Sequence, residues 1–293
     1  MPWVVGIDEA GYGPNLGPLV QAAALARLPA DDLAGWDHFN EKIRRAHDRA
    51  DQRLLVDDSK KVYRGGVGFD DLQATLAGWC HIFGCCVLES RADHDAEFWH
   101  DWDCIDKPLD PCPICDAGVI PHAINVVVPR RLNRLIDETG TKATALLQGT
   151  IGLVQSLFEH WRPDESVVIV ADKHGGRHYY AALLQEAFPD GWVVAEREVP
   201  EESRYRILNL PFELTVIFRP KADAASVSVA LASMMAKYFR ELCMRDYNAF
   251  WARHVPGLKP TAGYPLDAKR FYREIEPAMH ALGIPKDAVW RNK

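Results

Sequence analysis

Four carboxylates stand where apolar runs end. Trp3 to Ile7 is a short apolar run that stops at Asp8-Glu9, and Val167 to Ala171 is another that stops at Asp172. Leu214 to Phe218 is a third, followed by Asp223 in Arg-Pro-Lys-Ala-Asp-Ala. In open α/β sheets, functional groups collect at strand ends, where rigid backbone holds them. Several carboxylates in one place repel each other and are tolerable only with a cation between them. Hard oxygen donors of this kind favour Mg²⁺ or Mn²⁺. Two such ions about 4 Å apart are the usual device for in-line attack on a phosphodiester. Each acid taken singly has another use, as the cap of a helix or turn, and spacing alone leaves both uses open.

Directly after the first acid pair comes Gly11-Tyr12-Gly13-Pro14-Asn15-Leu16-Gly17-Pro18. Glycines let backbone N–H groups approach a phosphate or a sugar closely, although a tight hairpin uses the same residues. Positioning these groups requires strands. Leu19 to Ala26 is apolar and pairs with the first run as a hairpin. Val167 to Ala171 reads as a strand covered on both faces, and Trp192 to Ala195 and Leu214 to Phe218 as further strands. Leu72, Leu76 and Trp79 suit a helix, as do Leu132, Leu135 and Ile136, and then Leu146, Leu147, Ile151, Val154 and Leu157. Ala224 to Leu242 is an apolar, small-residue helix. Strands alternating with helices predict an α/β fold, with a sheet made mixed by the first hairpin and flanked by helices. We expect residues 1–245 to form the body, 92–125 an insert within it, and 246–293 a small C-terminal helical extension.

The chain has 293 residues, a formal net charge of −7, 48% hydrophobic and 26% charged residues. Those are globular values, and such a length buries a large core without disulfides. They exclude a disordered tail, a fibrous repeat and a small disulfide scaffold. No apolar run reaches the ~20 residues that span a bilayer, and the N-terminus shows no signal-peptide core, so no membrane association and a cytoplasmic location are expected. Net charge argues against a nucleic-acid binder, but its distribution does not. Lys237 to Lys293 holds 11 basic and 6 acidic residues, whereas Ser90 to Asp116 holds 8 acidic and 2 basic ones. Such asymmetry marks either a site for a polyanion or two solvated surfaces.

Seven cysteines is an odd number, and a reducing compartment is the simpler reading. Cys80, Cys85, Cys86 and Cys243 read as buried thiols. Within the insert, His100, Cys104, Cys112 and Cys115 offer one nitrogen and three sulfurs at spacings a tetrahedral structural Zn²⁺ can use. His94 and His122 are rival fourth ligands, and a plain pair of reduced or redox thiols is the alternative.

Gly6-Ile7-Asp8-Glu9-Ala10-Gly11-Tyr12-Gly13-Pro14 and the following Gly17-Pro18-Leu19-Val20 resemble the opening motif of the type 2 ribonucleases H, ribonuclease HII. Asp58-Ser59-Lys60-Lys61 resembles the family's Asp-Ser-Lys motif, and Val168 to Asp172 the strand bearing its third acid. Lys221-Ala222-Asp223, with Ser228, Ala232-Ser233 and Ala236-Lys237, resembles its fourth acid and the helix behind it. Gly263-Tyr264-Pro265 resembles its Gly-Tyr-Pro motif. The five segments occur in the family's order, with a flavour nearer the archaeal and eukaryotic members. The resemblance implies a ribonuclease H-like fold and hydrolysis of RNA paired to DNA, or of a ribonucleotide embedded in duplex DNA, by a monomer. It implies Asp8, Glu9, Asp172 and Asp223 as the catalytic, metal-binding acids, with products ending in 5′-phosphate and 3′-hydroxyl. It further implies that Gly11, Tyr12 and Gly13 read the 2′-hydroxyl, that Ser59, Lys60, Ser233 and Lys237 hold phosphates, and that Tyr264 stacks near the junction sugar. The sequence departs from the family at Tyr12, where an arginine is usual, and in Asp172-Lys173-His174-Gly175-Gly176. Lys173 and His174 are either phosphate or proton-transfer groups or basic turn residues in solvent. A non-catalytic relative binding nucleic acid or a protein through the insert is the rival reading.

Overall fold

β1 (Trp3–Ala10) is apolar on both faces, and its alternation feeds two cores. Val4 joins one cluster of buried residues, while Trp3, Val5 and Ile7 join another on the opposite face. A strand buried on both sides belongs in the middle of a sheet, and β1 lies there. It pairs antiparallel with β2 (Leu19–Arg27) and parallel with β7 (Val167–Asp172). The computed structural model describes residues 1–45, 48, 50–63, 68–83, 87–92, 98–99, 121–160, 163 and 165–292. In these, β5 (Val87–Ala92), β6 (Pro121–Val127), β2, β1, β7, β10 (Leu214–Arg219), β9 (Glu202–Leu208) and β8 (Trp192–Val199) follow one another across an 8-stranded mixed sheet. The short β3 (Ile43–Arg44) and β4 (Leu54–Leu55) pair separately.

Helices cover both faces, which is the expected α/β class. On one side lie α1 (Ser59–Val62), α2 (Phe69–Phe83) and the later long helix; on the other lie α3 (Pro129–Thr139), α4 (Lys142–His160) and α5 (Ala181–Ala187). The short α6 (Ala222–Ala225) leads into α7 (Val227–His254), which packs on β1 and β2. That approach requires glycine at position 6. A Cβ there would stand 2.1 Å from the Ser228 carbonyl carbon, so helix backbone rests directly on strand backbone. α8 (Pro265–Leu282) starts with proline at its first turn and ends at Gly283 in the left-handed region, φ 66°.

The boundary expected at residue 245 falls inside α7, and Phe271, Ile275 and Met279 of α8 join the same cluster as Val4 and Leu231. β6 begins at Pro121, within the span assigned to the insert, because its alternating apolar residues pair with β2. Cys243 is a buried free thiol. The expected zinc ligands His100, Cys104, Cys112 and Cys115 lie outside the described residues. Among the described residues no helix is long and apolar enough to cross a membrane.

Candidate active site

The register brings the acids to one end of the three central strands. Ile7 pairs with Ala171, which puts Asp8 beside Asp172, and Asp172 pairs with Arg219 at the end of β10. After β10 the chain must turn sharply. Lys221 does so in the left-handed region, φ 55°, an uncommon conformation for a residue bearing a side chain and one found where function holds it. Its N–H donates to Asp172 Oδ1 (3.1 Å), as does that of Lys173 (2.8 Å). Two residues on, Asp223 enters the group and accepts from the Ala224 N–H (2.8 Å).

All four acids are half-buried. Burial first, and then the charge of Glu9, pushes the Asp8 carboxyl well above its ordinary range, with Asp223 adding to it. Burial and the charge of Asp172 push Glu9 up to about 7, opposed by Lys60. Asp172 is raised by burial and by Asp223. These are carboxylates within reach of one another and short of positive charge. Among the described residues no three acidic, histidine or cysteine side chains stand close enough to enclose an ion. A hard-oxygen donor set of this kind fits a divalent metal rather than a soft one.

Around the acids, the other expected residues take varied places. Ser233 of α7 donates to Asp8, and its hydroxyl is 3.0 Å from that of Ser59 in α1. Either of the two serine hydroxyls can donate to the other. Lys60 is exposed and its charge reaches both Glu9 and Asp172. Lys237 is instead taken up by Glu241 (2.5 Å) and lies 4.3 Å over the Tyr63 ring, while Glu241 also accepts from the Tyr63 hydroxyl (2.8 Å). Lys173 turns away, to the Val199 carbonyl (2.6 Å) and His178 (3.1 Å). His174 is neither a solvated turn residue nor poised at the acids. It is buried, its Nε2 is 3.4 Å from the Thr150 hydroxyl, and burial drives it down to about 4, so it is neutral at pH 7. The cause is aromatic packing, where Phe218 of β10 and Tyr180, just before α5, lie against the ring.

Beneath the glycine turn lie two arginines that sequence reasoning missed. Gly11 has φ +90°, and a Cβ on it would meet Arg240 Nε at 2.3 Å, so the turn rests on the guanidinium of α7. Arg291, also buried, donates through Nε to the Gly17 carbonyl (2.6 Å) and through Nη1 to those of Gly11 and Pro14. The carbonyl of Gly263 accepts from the N–H groups of Asn15 (2.8 Å) and Leu16 (3.3 Å). This docking sets Tyr264, 54% exposed, beside Gly13, whose Cβ position is 3.9 Å from Tyr264 Cε1. Tyr12 is likewise exposed. The Lys142 ammonium lies 4.7 Å from its ring centre, and burial and the charge of Glu9 raise its hydroxyl. The structure thus sets Asp8, Glu9, Asp172 and Asp223 near one another at the ends of β1, β7 and β10, with Ser59, Lys60 and Ser233 beside them and Tyr12 and Tyr264 at the adjoining glycine turn.

No family model matches the chain. The A subunit of human ribonuclease H2 is 25% identical over 288 residues, covering 97% of this chain and 69% of that protein. The fold is that of the ribonuclease H2 of Pyrococcus horikoshii, with a TM-score of 0.52 and 20% identity, covering 98% of this chain and 92% of that one. The chain is similar to the type 2 ribonucleases H. The ribonuclease HII of Archaeoglobus fulgidus, solved in complex with PCNA, is similar to the same degree, with a TM-score of 0.52, 19% identity and coverage of 99% and 94%.

Proposed function

We propose that the chain is a metal-dependent endoribonuclease that hydrolyses RNA paired to DNA, or ribonucleotides embedded in DNA, leaving 5′-phosphate and 3′-hydroxyl ends. The observation that carries this reading is the group of four acids at the ends of β1, β7 and β10. Within it, burial and mutual charge raise the proton affinity of Asp8, Glu9 and Asp172. Asp8, Glu9, Asp172 and Asp223 would hold Mg²⁺ or Mn²⁺. When bound, such ions activate the attacking water and stabilise the leaving 3′ oxygen.

The chain's own residues do the rest. The hydrogen bond from Ser233 fixes the orientation of Asp8. Lys60 sets a cation beside Glu9 and Asp172, where the substrate backbone must pass. Gly11 to Gly13 bring backbone close to the sugar, and a group there can recognise the 2′-hydroxyl that separates RNA from DNA. Tyr264 offers an exposed ring on the other side of Gly13 for stacking on the junction sugar. Lys237, expected to hold a phosphate, is tied to Glu241 and seated over the Tyr63 ring, so any phosphate contact it makes competes with that carboxylate.

The test is cleavage of two labelled duplexes in parallel, with Mg²⁺ and with Mn²⁺. One is a continuous RNA–DNA hybrid; the other is DNA with one ribonucleotide. We expect cutting of both, with 5′-phosphate ends, and loss of nearly all of it in Asp8→Asn. Failure of the folded protein to cut either duplex overturns the proposal.

A further inference from the structure

A group of cations and aromatic rings lies beyond the glycine turn. Lys269, Tyr272 and Arg273 share one face of α8, and with Lys286 and Trp290 they line a cleft of about 280 Å³. Two ties join this cleft to the site. Tyr264 stands at the start of the same helix, and the backbone of Trp290 bridges to Leu16 of the turn. The Tyr272 and Trp290 rings are half-buried, 5.4 Å apart and inclined at 79°, so they do not cover each other face to face. The Lys286 ammonium lies 6.0 Å from the centre of the Tyr272 ring. Arg273 spends one of its five N–H donors on the Lys269 carbonyl (3.2 Å). Lys269, Arg273 and Lys286 are all exposed, and among the described residues none of them is paired with an acid. Of the acids nearby, Asp287 is held by Arg130 (3.4 Å), and Glu276, whose charge reaches Tyr272, is exposed.

We infer that this cleft is a subsite for one unpaired nucleotide of a single strand leaving the duplex beyond the glycine turn, its base against Tyr272 and Trp290 and its phosphate on Lys269, Arg273 and Lys286. The inference rests on the nuclease reading above and deepens it, since it names hybrids with a single-stranded flank as the favoured substrate. Rings beside cations are what single strands require, because bases stack on the rings and phosphates meet the charges. A duplex keeps its bases within its own stack and would leave both rings unused. The size agrees, for small-ligand sites begin near 300 Å³, which leaves room here for a single unit. Three cations without an acid partner favour an anion over a neutral ligand.

The experiment uses the full chain carrying Asp8→Asn, which binds without cutting, and labelled RNA–DNA hybrids that are either blunt or carry a single-stranded DNA tail at one end or the other. Measured by anisotropy, a tail at one of the two ends should tighten binding about fivefold or more. Lys269→Ala, Arg273→Ala and Lys286→Ala together should remove that gain, and so should Tyr272→Leu alone, which keeps the bulk and removes the ring. In the otherwise unsubstituted enzyme, neither set should change cleavage of the blunt hybrid. A tail of abasic sugar-phosphate should gain little; if it binds as tightly as the base-bearing tail, the cleft is a bare patch of charge and the inference falls. Removal of the gain by micromolar deoxyadenosine monophosphate would assign the cleft to a free nucleotide. Its removal by oligoglutamate, with the blunt hybrid still bound, would assign it to an acidic peptide, and either result overturns the inference. So does a tail without effect in a preparation whose parent cuts the blunt hybrid, and that result leaves the nuclease reading standing. A parent that cuts nothing overturns that reading and this inference with it.

Discussion

Glu9 and His174 respond to pH in opposite senses. Glu9 ionises near 4.5 in an unfolded chain and about 7 in the fold. Between those values the unfolded chain has given up a proton that the folded one keeps, so without metal this site loses stability as pH rises. His174 falls from 6.5 to about 4 on folding. There the unfolded chain holds the extra proton, and stability is lost as pH falls through that window. Glu9→Gln removes the first effect and leaves the second. Melted in a chelator beside the parent, that variant should lose less stability than the parent as pH rises from about 4.5 to about 7; an identical pH dependence in the two contradicts the assignment. Asp8→Asn relieves repulsion among the acids, so its metal-free melting temperature should hold or rise while cleavage disappears. A marked drop would make Asp8 structural. Adding Mg²⁺ or Mn²⁺ near pH 6.5 should release protons, because the ion takes the deprotonated carboxylates, and a weakly buffered solution with an indicator dye reads this directly.

One stripe of α7 connects the elements of the site. Ser233 donates to Asp8, Arg240 lies under Gly11, and Met244 Sδ would stand 2.2 Å from a Cβ on Gly17. Residues seven and eleven positions after Ser233 share its helix face, so a single helix carries the end of β1 and both ends of the turn. The contact at Gly6 fixes the height of that helix. Gly6→Ala should cost about 1–3 kcal/mol or more, because backbone rather than a flexible side chain must give way, and should lower cleavage further than stability. Denaturant midpoints beside kcat/KM check it. Much of this is legible in the sequence. The hairpin of β1 and β2, β7, β10 and the helices at Leu72, Leu132 and Leu146 all show in local periodicity. β9 does not stand out as a strand, although Ser203, Tyr205 and Ile207 alternate with Arg204 and Arg206; its outward arginines mask a half-buried strand. The arginines under the turn leave no local signal of their role. A buried guanidinium at position 240 or 291 looks like a surface charge until its carbonyl partners, far along the chain, are known.

At the scale of the whole molecule, the end of the described chain returns to its beginning. Leu16 bridges to Trp290, the Arg291 N–H donates to the Asn15 carbonyl (2.9 Å), and the Asn292 N–H donates to Asn133 (2.6 Å). Arg291→Ala strands the carbonyls of Gly11 and Gly17 in a buried place, at about 1–3 kcal/mol for each unmet group. We expect faster amide exchange confined to residues 11–17 and a fall in cleavage of the embedded ribonucleotide greater than of the long hybrid. Exchange that rises throughout the central strands instead would show that Arg291 secures the fold as a whole. The tie between Arg291 and Gly11 spans 280 positions, and it has a consequence in time. During synthesis all four acids emerge from the ribosome well before residue 291 does. A nascent or prematurely halted chain therefore holds the four acids without the brace for the glycine turn beside them. On the nuclease reading, we expect chains halted before residue 291 to cut poorly even though they carry all four acids.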